Sequence, residues 1–415
     1  MRQLSRSLAI VALVTLGAGA LAGHHKDDGY VGAQAVINGA ISNGSLNFAV
    51  AAVGGKAGQT WSYATGHRDA ERTQPASPDN IIQIASMTKL ITTIAALQLM
   101  EQGKLDLDSP ISGYAPELKD LQVLKGFDAD DKPIFEKAER APTARELMTH
   151  TAGYVYEFWN ADSLKAAQLG VSPSLLNGGN YLAAPLAFQP GTAWEYGINT
   201  DWLGVLVERL SGQRLAEYFD EHIFKPLGMT DTFYELSADK LDRSVTVMAR
   251  GAEGLVELPN FQPTPREKGS MAHYSGGGGL SSTVKDYGHV LQMLLNDGSL
   301  NGKRLLKSQT VDTMFQNNIG EIQPVALATV MPTMSNTADM SFGNNATFGL
   351  GLLIHTDGIK GGRKANAGSW AGLFNSYYWV DREAGTYGIF GTQVLPFYDS
   401  VAIETLLEFE QTVYK

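Results

Sequence analysis

The sequence of 415 residues contains no cysteine. This absence excludes disulfide bonds, a thiolate nucleophile, lipid attachment through cysteine and a cysteine-bound zinc ion. Charged residues are also few, at 18% of the chain, and the formal net charge is −11. The chain lacks the clusters of Lys and Arg that bind the phosphates of nucleic acid, so we expect no nucleic-acid partner.

Long apolar runs are absent apart from one near the amino terminus. Arg2 and Arg6 precede an uncharged run from Leu8 to Ala22. A basic start, about 15 apolar residues and small residues at the end are typical of a secretory signal peptide. A membrane-spanning helix needs roughly 20 apolar residues, which this run does not reach. We therefore predict a signal peptide over residues 1–22, cleavage after Ala22, a periplasmic or secreted location and no membrane span in the mature chain.

Strand patterns lie at both ends of the sequence, and helical patterns lie in the middle. The predicted strands are Phe48 to Gly54, Thr60 to Thr65, Phe348 to His355, Asn375 to Val380 and Tyr387 to Val394. The predicted helices are Leu90 to Met100, Asp201 to Leu210 and a segment capped by Ser281-Ser282 that runs to about Asn296. This order predicts a discontinuous α/β domain, residues 24–85 and 286–415, and a mainly helical domain, residues 86–285, with the active site between them.

A Ser-x-x-Lys element, Ser86-Met87-Thr88-Lys89, opens the first of these helices. Residues three apart on a helix share one face, so the Lys amine can hydrogen-bond the Ser hydroxyl. The amine can take the hydroxyl proton only in its neutral form, which desolvation at a buried site favours. The alternative is a buried capping Ser with a Lys that reaches solvent. We favour a catalytic pair, because an unpaired buried charge is costly.

Two further Ser-x-x-Lys elements begin at Ser237 and Ser282. Their neighbours are polar, so we interpret both as helix N-caps. No Gly-x-Ser-x-Gly element occurs, which removes support for the nucleophile elbow of α/β-hydrolases. The glycine run from Gly276 to Gly279 lacks the Lys-Ser/Thr of a phosphate-binding loop.

The eight histidines show no metal-ligand spacing, so neither a metal nor a cofactor is expected. We interpret His150 as a structural hydrogen-bonding residue rather than a catalytic base. An aromatic cluster follows it, and either an acyl pocket or the protein core accounts for such a cluster equally well. Its members are Tyr154, Tyr156, Phe158 and Trp159.

Further motifs occur along nearly the whole mature chain. They are Gly103-Lys104-Leu105-Asp106-Leu107-Asp108, Leu147-Met148-Thr149-His150-Thr151-Ala152-Gly153, Pro190-Gly191-Thr192, Pro226-Leu227-Gly228-Met229, Gly276 to Thr283 and Gln393 to Phe397. With Ser86 and Lys89, this set resembles the serine β-lactamase-like superfamily of class C β-lactamases and DD-peptidases, and most closely the family VIII carboxylesterases. The resemblance implies an α+β fold with a central antiparallel sheet, flanking helices and a mainly helical domain.

The resemblance also implies roles for further residues. Tyr196 stands at the tyrosine of the family's second element and would carry the proton between Ser86 and the leaving group. The lactamases have Asn two residues later, where this chain has Ile198, and Asn199 more naturally starts the next helix. The third element corresponds to Trp370-Ala371-Gly372, which would bind substrate in place of the lactamase Lys-Thr-Gly. The backbone N–H groups of Ser86 and Leu373 would then form an oxyanion hole.

We therefore expect a serine hydrolase that cleaves carboxylic esters of small molecules through a covalent acyl-enzyme on Ser86. A β-lactamase, a D-amino-acid peptidase or an acyltransferase of the same fold is the alternative within the family. A non-catalytic binding or regulatory relative is the alternative of another class. No motif indicates an oligomeric state.

Overall fold

The structure is a computed structural model that describes residues 29–176 and 179–415. The predicted signal peptide lies outside these residues, so export and cleavage after Ala22 stay predictions. No helix in the described ranges is long and apolar enough to cross a membrane.

Helices form a large share of the described chain. In chain order they are α1 (Val31–Ser42), α2 (Thr88–Glu101), α3 (Ala144–Thr149), α4 (Ala161–Gln168), α5 (Asn199–Ser211), α6 (Leu215–Phe219), α7 (Lys225–Leu227), α8 (Val284–Leu295), α9 (Ser308–Met314) and α10 (Ser400–Val413). Helix α2 is buried along nearly its whole length, as its apolar sequence predicts. Helix α5 ends at Gly212, which adopts the left-handed conformation common after helices.

The strands contribute one large sheet and several small ones. In chain order they are β1 (Phe48–Gly55), β2 (Gly58–Gly66), β3 (Ile82–Gln83), β4 (Gln122–Phe127), β5 (Pro133–Lys137), β6 (Met248–Gly251), β7 (Gly254–Glu257), β8 (Ser281–Ser282), β9 (Ser299–Leu300), β10 (Lys303–Arg304), β11 (Ala346–Phe348), β12 (Leu353–His355), β13 (Ala367–Gly372), β14 (Ser376–Asp381), β15 (Thr386–Gly391) and β16 (Val394–Leu395). The turn from Asp128 to Lys132 joins β4 to β5 in a hairpin.

The large sheet has the strand order β11-β12-β13-β14-β15-β1-β2, and every neighbouring pair is antiparallel. Both of its faces are covered. On one face, Trp379 and Phe390 contact Phe409 of α10. On the other face, the ring of Tyr378 lies 5.2 Å from that of Tyr287 in α8. The predicted fold class, with a central antiparallel sheet and flanking helices, is confirmed, while the division into residues 24–85, 86–285 and 286–415 stays a prediction.

Three predicted elements differ from the structure. The predicted strand from Tyr387 to Val394 is divided between β15 in the large sheet and β16 in a small one. The apolar run from Phe348 to His355 forms two strands, β11 and β12, because Gly351 takes a positive φ and turns the chain between them. Ser281 and Ser282 form strand β8 rather than a helix cap. The cap of α8 is Thr283, whose side chain accepts a hydrogen bond from the backbone N–H of Asp286.

Candidate active site

Ser86 lies in a short 3₁₀ turn, Ala85–Met87, directly before α2. The residue before it, Ala85, has a φ of 42°, which is unusual for a residue with a Cβ. Ser86 is only partly buried and lines a cavity. The turn therefore presents the hydroxyl at a surface that a substrate can reach.

Lys89 lies in the first turn of α2 and is 2% exposed. Its Nζ makes three hydrogen bonds: to Ser86 Oγ at 3.3 Å, to Tyr156 Oη at 2.9 Å and to the carbonyl oxygen of Gly277 at 2.7 Å. The structure thus brings together the Ser and Lys of the predicted pair. It also gives the amine two partners that the sequence did not indicate.

Tyr156 is one of four aromatic residues for which a pocket and a core role were equally expected. Tyr156, Phe158 and Trp159 line the cavity, whereas Tyr154 is fully buried away from it. Burial, reinforced by the negative charge of Asp201, raises the pKa of the Tyr156 phenol well above its usual range. Tyr156 therefore stays protonated while its oxygen accepts the Lys89 hydrogen bond. Nothing in the local sequence distinguishes Tyr156 from its core neighbour Tyr154.

Tyr196 is 3% exposed and reaches the same cavity. The Lys89 Nζ lies 4.8 Å from the centre of its ring. Its Oη accepts a hydrogen bond from Trp370 Nε1 at 3.1 Å. The predicted second and third elements therefore meet directly beside Lys89.

His150 lies behind Tyr196, with ring centres 4.6 Å apart. The amide nitrogen of Asn199 is 3.0 Å from His150 Nδ1 and also donates to the carbonyl of Tyr154. Nδ1 is therefore an acceptor, and the neutral ring carries its proton on Nε2. Burial, with Lys89 as a second cause, lowers the pKa of His150 well below its usual range. His150 is thus a neutral hydrogen-bonding residue, and Asn199 begins α5, as expected for both.

The end of β13 approaches the segment before Ser86 closely. A Cβ atom at Gly372 would lie 2.3 Å from the carbonyl oxygen of Ile84, so only glycine fits there. Trp370, Ala371, Gly372 and Leu373 all line the cavity beside Ser86. The two backbone segments predicted to form an oxyanion hole therefore lie at one cavity wall.

The cavity has a volume of about 670 Å³. Its wall is mainly apolar, and the apolar side chains come from five separate parts of the chain. The apolar residues are Phe158, Trp159, Leu175, Leu176, Phe261, Leu327, Met334, Met340 and Phe397. A hydroxyl beside a buried amine, facing such a cavity, can attack an electrophilic carbon of an apolar substrate.

Comparisons with known proteins match most of the chain. Residues 43–411 match the family model described as Beta-lactamase. The chain is 33% identical over 397 residues to the lovastatin esterase of Penicillium rubens, covering 91% of this chain and 96% of that relative. It is 34% identical over 334 residues to the acyltransferase calJ of Penicillium decumbens, covering 78% of each.

Solved structures show the same fold. The LovD6 mutant of simvastatin synthase from Aspergillus terreus superposes with a TM-score of 0.79 at 29% identity, covering 93% of this chain and 97% of that one. EstCE1, described as a hydrolase with promiscuous acyltransferase activity, superposes with a TM-score of 0.71 at 21% identity, covering 92% of this chain and 98% of that one. The family match and the site geometry lead to one assignment: the chain belongs to the Beta-lactamase family and is an enzyme of the serine β-lactamase fold.

Proposed function

We propose that this protein cleaves carboxylic esters through a covalent acyl-enzyme on Ser86. The observation that carries the proposal is the 3.3 Å hydrogen bond between Lys89 Nζ and Ser86 Oγ, at a cavity with a mainly apolar wall. The pairing gives the hydroxyl a nearby proton acceptor, which a serine nucleophile requires.

In the first step, Ser86 Oγ attacks the ester carbonyl and its proton passes to Lys89 Nζ. The backbone N–H groups of Ser86 and Leu373 donate hydrogen bonds to the oxyanion that forms. The bond to the alcohol oxygen then breaks, and Lys89 gives up the proton that it took, which reaches the alcohol oxygen through the Tyr196 phenol. The products are the free alcohol and the acyl group esterified to Ser86.

In the second step, the oxygen of a hydroxyl compound attacks the acyl carbonyl and gives its proton to Lys89. The bond between the acyl carbon and Ser86 Oγ then breaks, and Ser86 Oγ takes the proton back. Water gives a carboxylic acid, which is ester hydrolysis, whereas an alcohol gives a new ester, which is acyl transfer. The size of the apolar cavity favours acyl transfer as a second candidate, because about 670 Å³ leaves room for an acceptor beside a short acyl group. The relatives support both outcomes, since one is named an esterase and another an acyltransferase.

Covalent labelling tests the nucleophile. A fluorophosphonate should add to the peptide that contains Ser86, as read by mass spectrometry, and Ser86→Ala should abolish both labelling and ester hydrolysis. Ser237→Ala is the matched control, because Ser237 begins another Ser-x-x-Lys element and should leave both unchanged. Undiminished hydrolysis by Ser86→Ala would contradict the proposal, and a protein that takes no label would instead be a non-catalytic relative.

Product analysis separates hydrolysis from transfer and from the other family activities. An aryl ester is incubated with and without a bulky apolar alcohol, and free acid and new ester are measured by chromatography. New ester formed in proportion to added alcohol supports transfer, whereas acid alone supports an esterase. Faster turnover of a cephalosporin or a D-Ala-D-Ala peptide than of every ester tested would reject both.

A further inference from the structure

The glycine run Gly276–Gly279 passes between the two helices that carry the site, α2 and α5. Thr92 Oγ1 donates to the carbonyl of Gly276 at 2.6 Å, and Lys89 Nζ donates to the carbonyl of Gly277 at 2.7 Å. On the other side, a Cβ atom at Gly276 would lie 2.4 Å from the carbonyl oxygen of Thr200. Gly276 therefore leaves no room for a side chain, because its backbone lies close to both helices.

Asp201 lies in the first turn of α5 and accepts hydrogen bonds from the start of the glycine run. It is 2% exposed and lines the cavity. Its Oδ1 accepts hydrogen bonds from Tyr181 Oη at 2.9 Å, Ser275 Oγ at 2.5 Å and the backbone N–H of Gly277 at 3.1 Å. A Cβ atom at Gly277 would lie 2.2 Å from Oδ2. The carboxylate thus encloses Gly277, bonding its N–H with one oxygen and filling its side-chain space with the other.

The position of Gly277 sets the direction of the Lys89 amine. In the neutral form that the proposed reaction requires, a Lys amine has two N–H bonds and one lone pair in a tetrahedral arrangement. When the N–H bonds point to the Gly277 carbonyl and to Tyr156 Oη, the lone pair points to the third partner, Ser86 Oγ. A shift of the Gly277 carbonyl would therefore turn the lone pair away from the hydroxyl proton.

We propose that Asp201 is a positioning residue of the reaction, which holds the Gly277 peptide so that Lys89 is aimed at Ser86. This inference rests on the proposed function, because it assigns Asp201 a role only if Lys89 takes the Ser86 proton. Asp201 acts through the backbone and does not itself exchange a proton with substrate. Asp201 fixes the position of the Gly277 peptide because its two carboxylate oxygens contact Gly277 on two sides.

Asp201→Ala should lower kcat for an aryl ester by about 10- to 100-fold, since misplacement by about 1 Å can cost 100-fold in rate. KM should change little, and Asp201→Asn should recover part of the loss because its amide oxygen can still accept the Gly277 N–H. Tyr181→Phe is the matched control: it removes another donor to the same oxygen without touching Gly277, so kcat should fall much less than in Asp201→Ala. Equal losses in Tyr181→Phe and Asp201→Ala, or a change in KM alone, would overturn the proposal.

A double-mutant cycle separates this inference from the proposed function. In a Lys89→Ala background, Asp201→Asn should cause no further loss of rate, because the group that it positions is gone. Independent, multiplicative losses would overturn the role of Asp201 and leave the proposed function intact. Full activity of Lys89→Ala would instead contradict the proposed function. Circular dichroism and thermal unfolding of each variant identify any loss that comes from misfolding.

Discussion

Trp370 donates its indole N–H to the phenol oxygen of Tyr196, with Nε1 and Oη 3.1 Å apart. Both side chains are buried, at 4% and 3% exposure. The family resemblance predicts that Trp370 takes the place of the lactamase lysine and contacts substrate. Its indole N–H instead donates a hydrogen bond to Tyr196, so only the apolar surface of the indole ring is available to contact an apolar ligand.

Trp370→Phe should therefore slow the reaction while leaving the fold intact. Losing a neutral hydrogen bond costs about 0.5–1.5 kcal/mol, which corresponds to a fall in kcat of roughly 2- to 13-fold. Steady-state rates with an aryl ester measure the effect. Trp194→Phe is the matched control, because the Trp194 indole nitrogen is buried and has no hydrogen-bond partner in the described ranges. An equal fall in both variants would show that the Trp370 hydrogen bond is unimportant.

Lys89→Ala and Tyr196→Phe should each lower kcat by about 10²- to 10⁴-fold, because each removes a proton carrier. Rates with a short-chain aryl ester, together with circular dichroism, measure activity and fold in the same samples. Lys285→Ala is the control, since Lys285 ends another Ser-x-x-Lys element and is exposed. If Tyr196→Phe kept the wild-type rate, the proton carrier would have to be sought elsewhere, and Tyr156, whose Oη lies 2.9 Å from Lys89 Nζ, would be the first candidate.

Esters should be turned over far better than cephalosporins. Trp370 offers no positive charge to the carboxylate of a β-lactam, and a charge-assisted hydrogen bond is worth about 1.5–3 kcal/mol, or roughly 10- to 150-fold. The ratio of kcat/KM for an aryl ester and a cephalosporin, corrected for their intrinsic hydrolysis rates, measures this preference. A corrected ratio in favour of the cephalosporin would contradict the placement of Trp370 at the third element.

Stability should decrease below about pH 6.5, partly through His355. Burial, with Arg363 as a second cause, lowers the pKa of His355 well below 6.5. His355 therefore binds a proton more readily in the unfolded chain than in the folded one. Its contribution to stability is fully present above its pKa in the unfolded chain and is lost as the pH falls toward its pKa in the folded protein. The free energy of unfolding, measured with urea between about pH 5 and pH 7, should rise with pH in the wild-type protein. In His355→Gln this rise should be smaller by up to about 1.4 kcal/mol per pH unit.

Ser369→Ala is the control for that experiment. It removes the hydrogen bond to His355 Nε2, which is 2.8 Å long, but keeps the titrating ring. It should therefore lower stability at every pH and leave the slope unchanged. The same slope in wild type and in His355→Gln would refute the prediction.

The local parts of the site follow from the sequence. Ser86 and Lys89 are three residues apart at the start of a helix, so their proximity needs no knowledge of the fold. The partners of Lys89 do not follow in this way. Tyr156 comes from a distant loop, and the Gly277 carbonyl is a backbone atom with no side chain to mark it. A run of glycines indicates that the backbone packs closely against another part of the chain, but it does not identify which residues lie there.

The errors in the predicted elements have a similar cause. An apolar run such as Phe348 to His355 fits one long strand or two short ones equally well by composition. The turn at Gly351 depends on a positive φ and on contact with the Thr93 side chain of α2, which is remote in sequence. Ser282 is buried against Thr232, so its hydroxyl is used across the fold rather than at the helix end.

The pairing of β1 with β15 has a consequence for how this protein is made. Val50 lies opposite Gly391, so most of the chain must leave the ribosome before the sheet can close. Until then β1, which is apolar along its length, has one unpaired edge. That edge can pair with another chain and so lead to aggregation. Folding of the sheet is therefore a late event in synthesis, and chaperone binding to the nascent chain should persist until β15 has emerged.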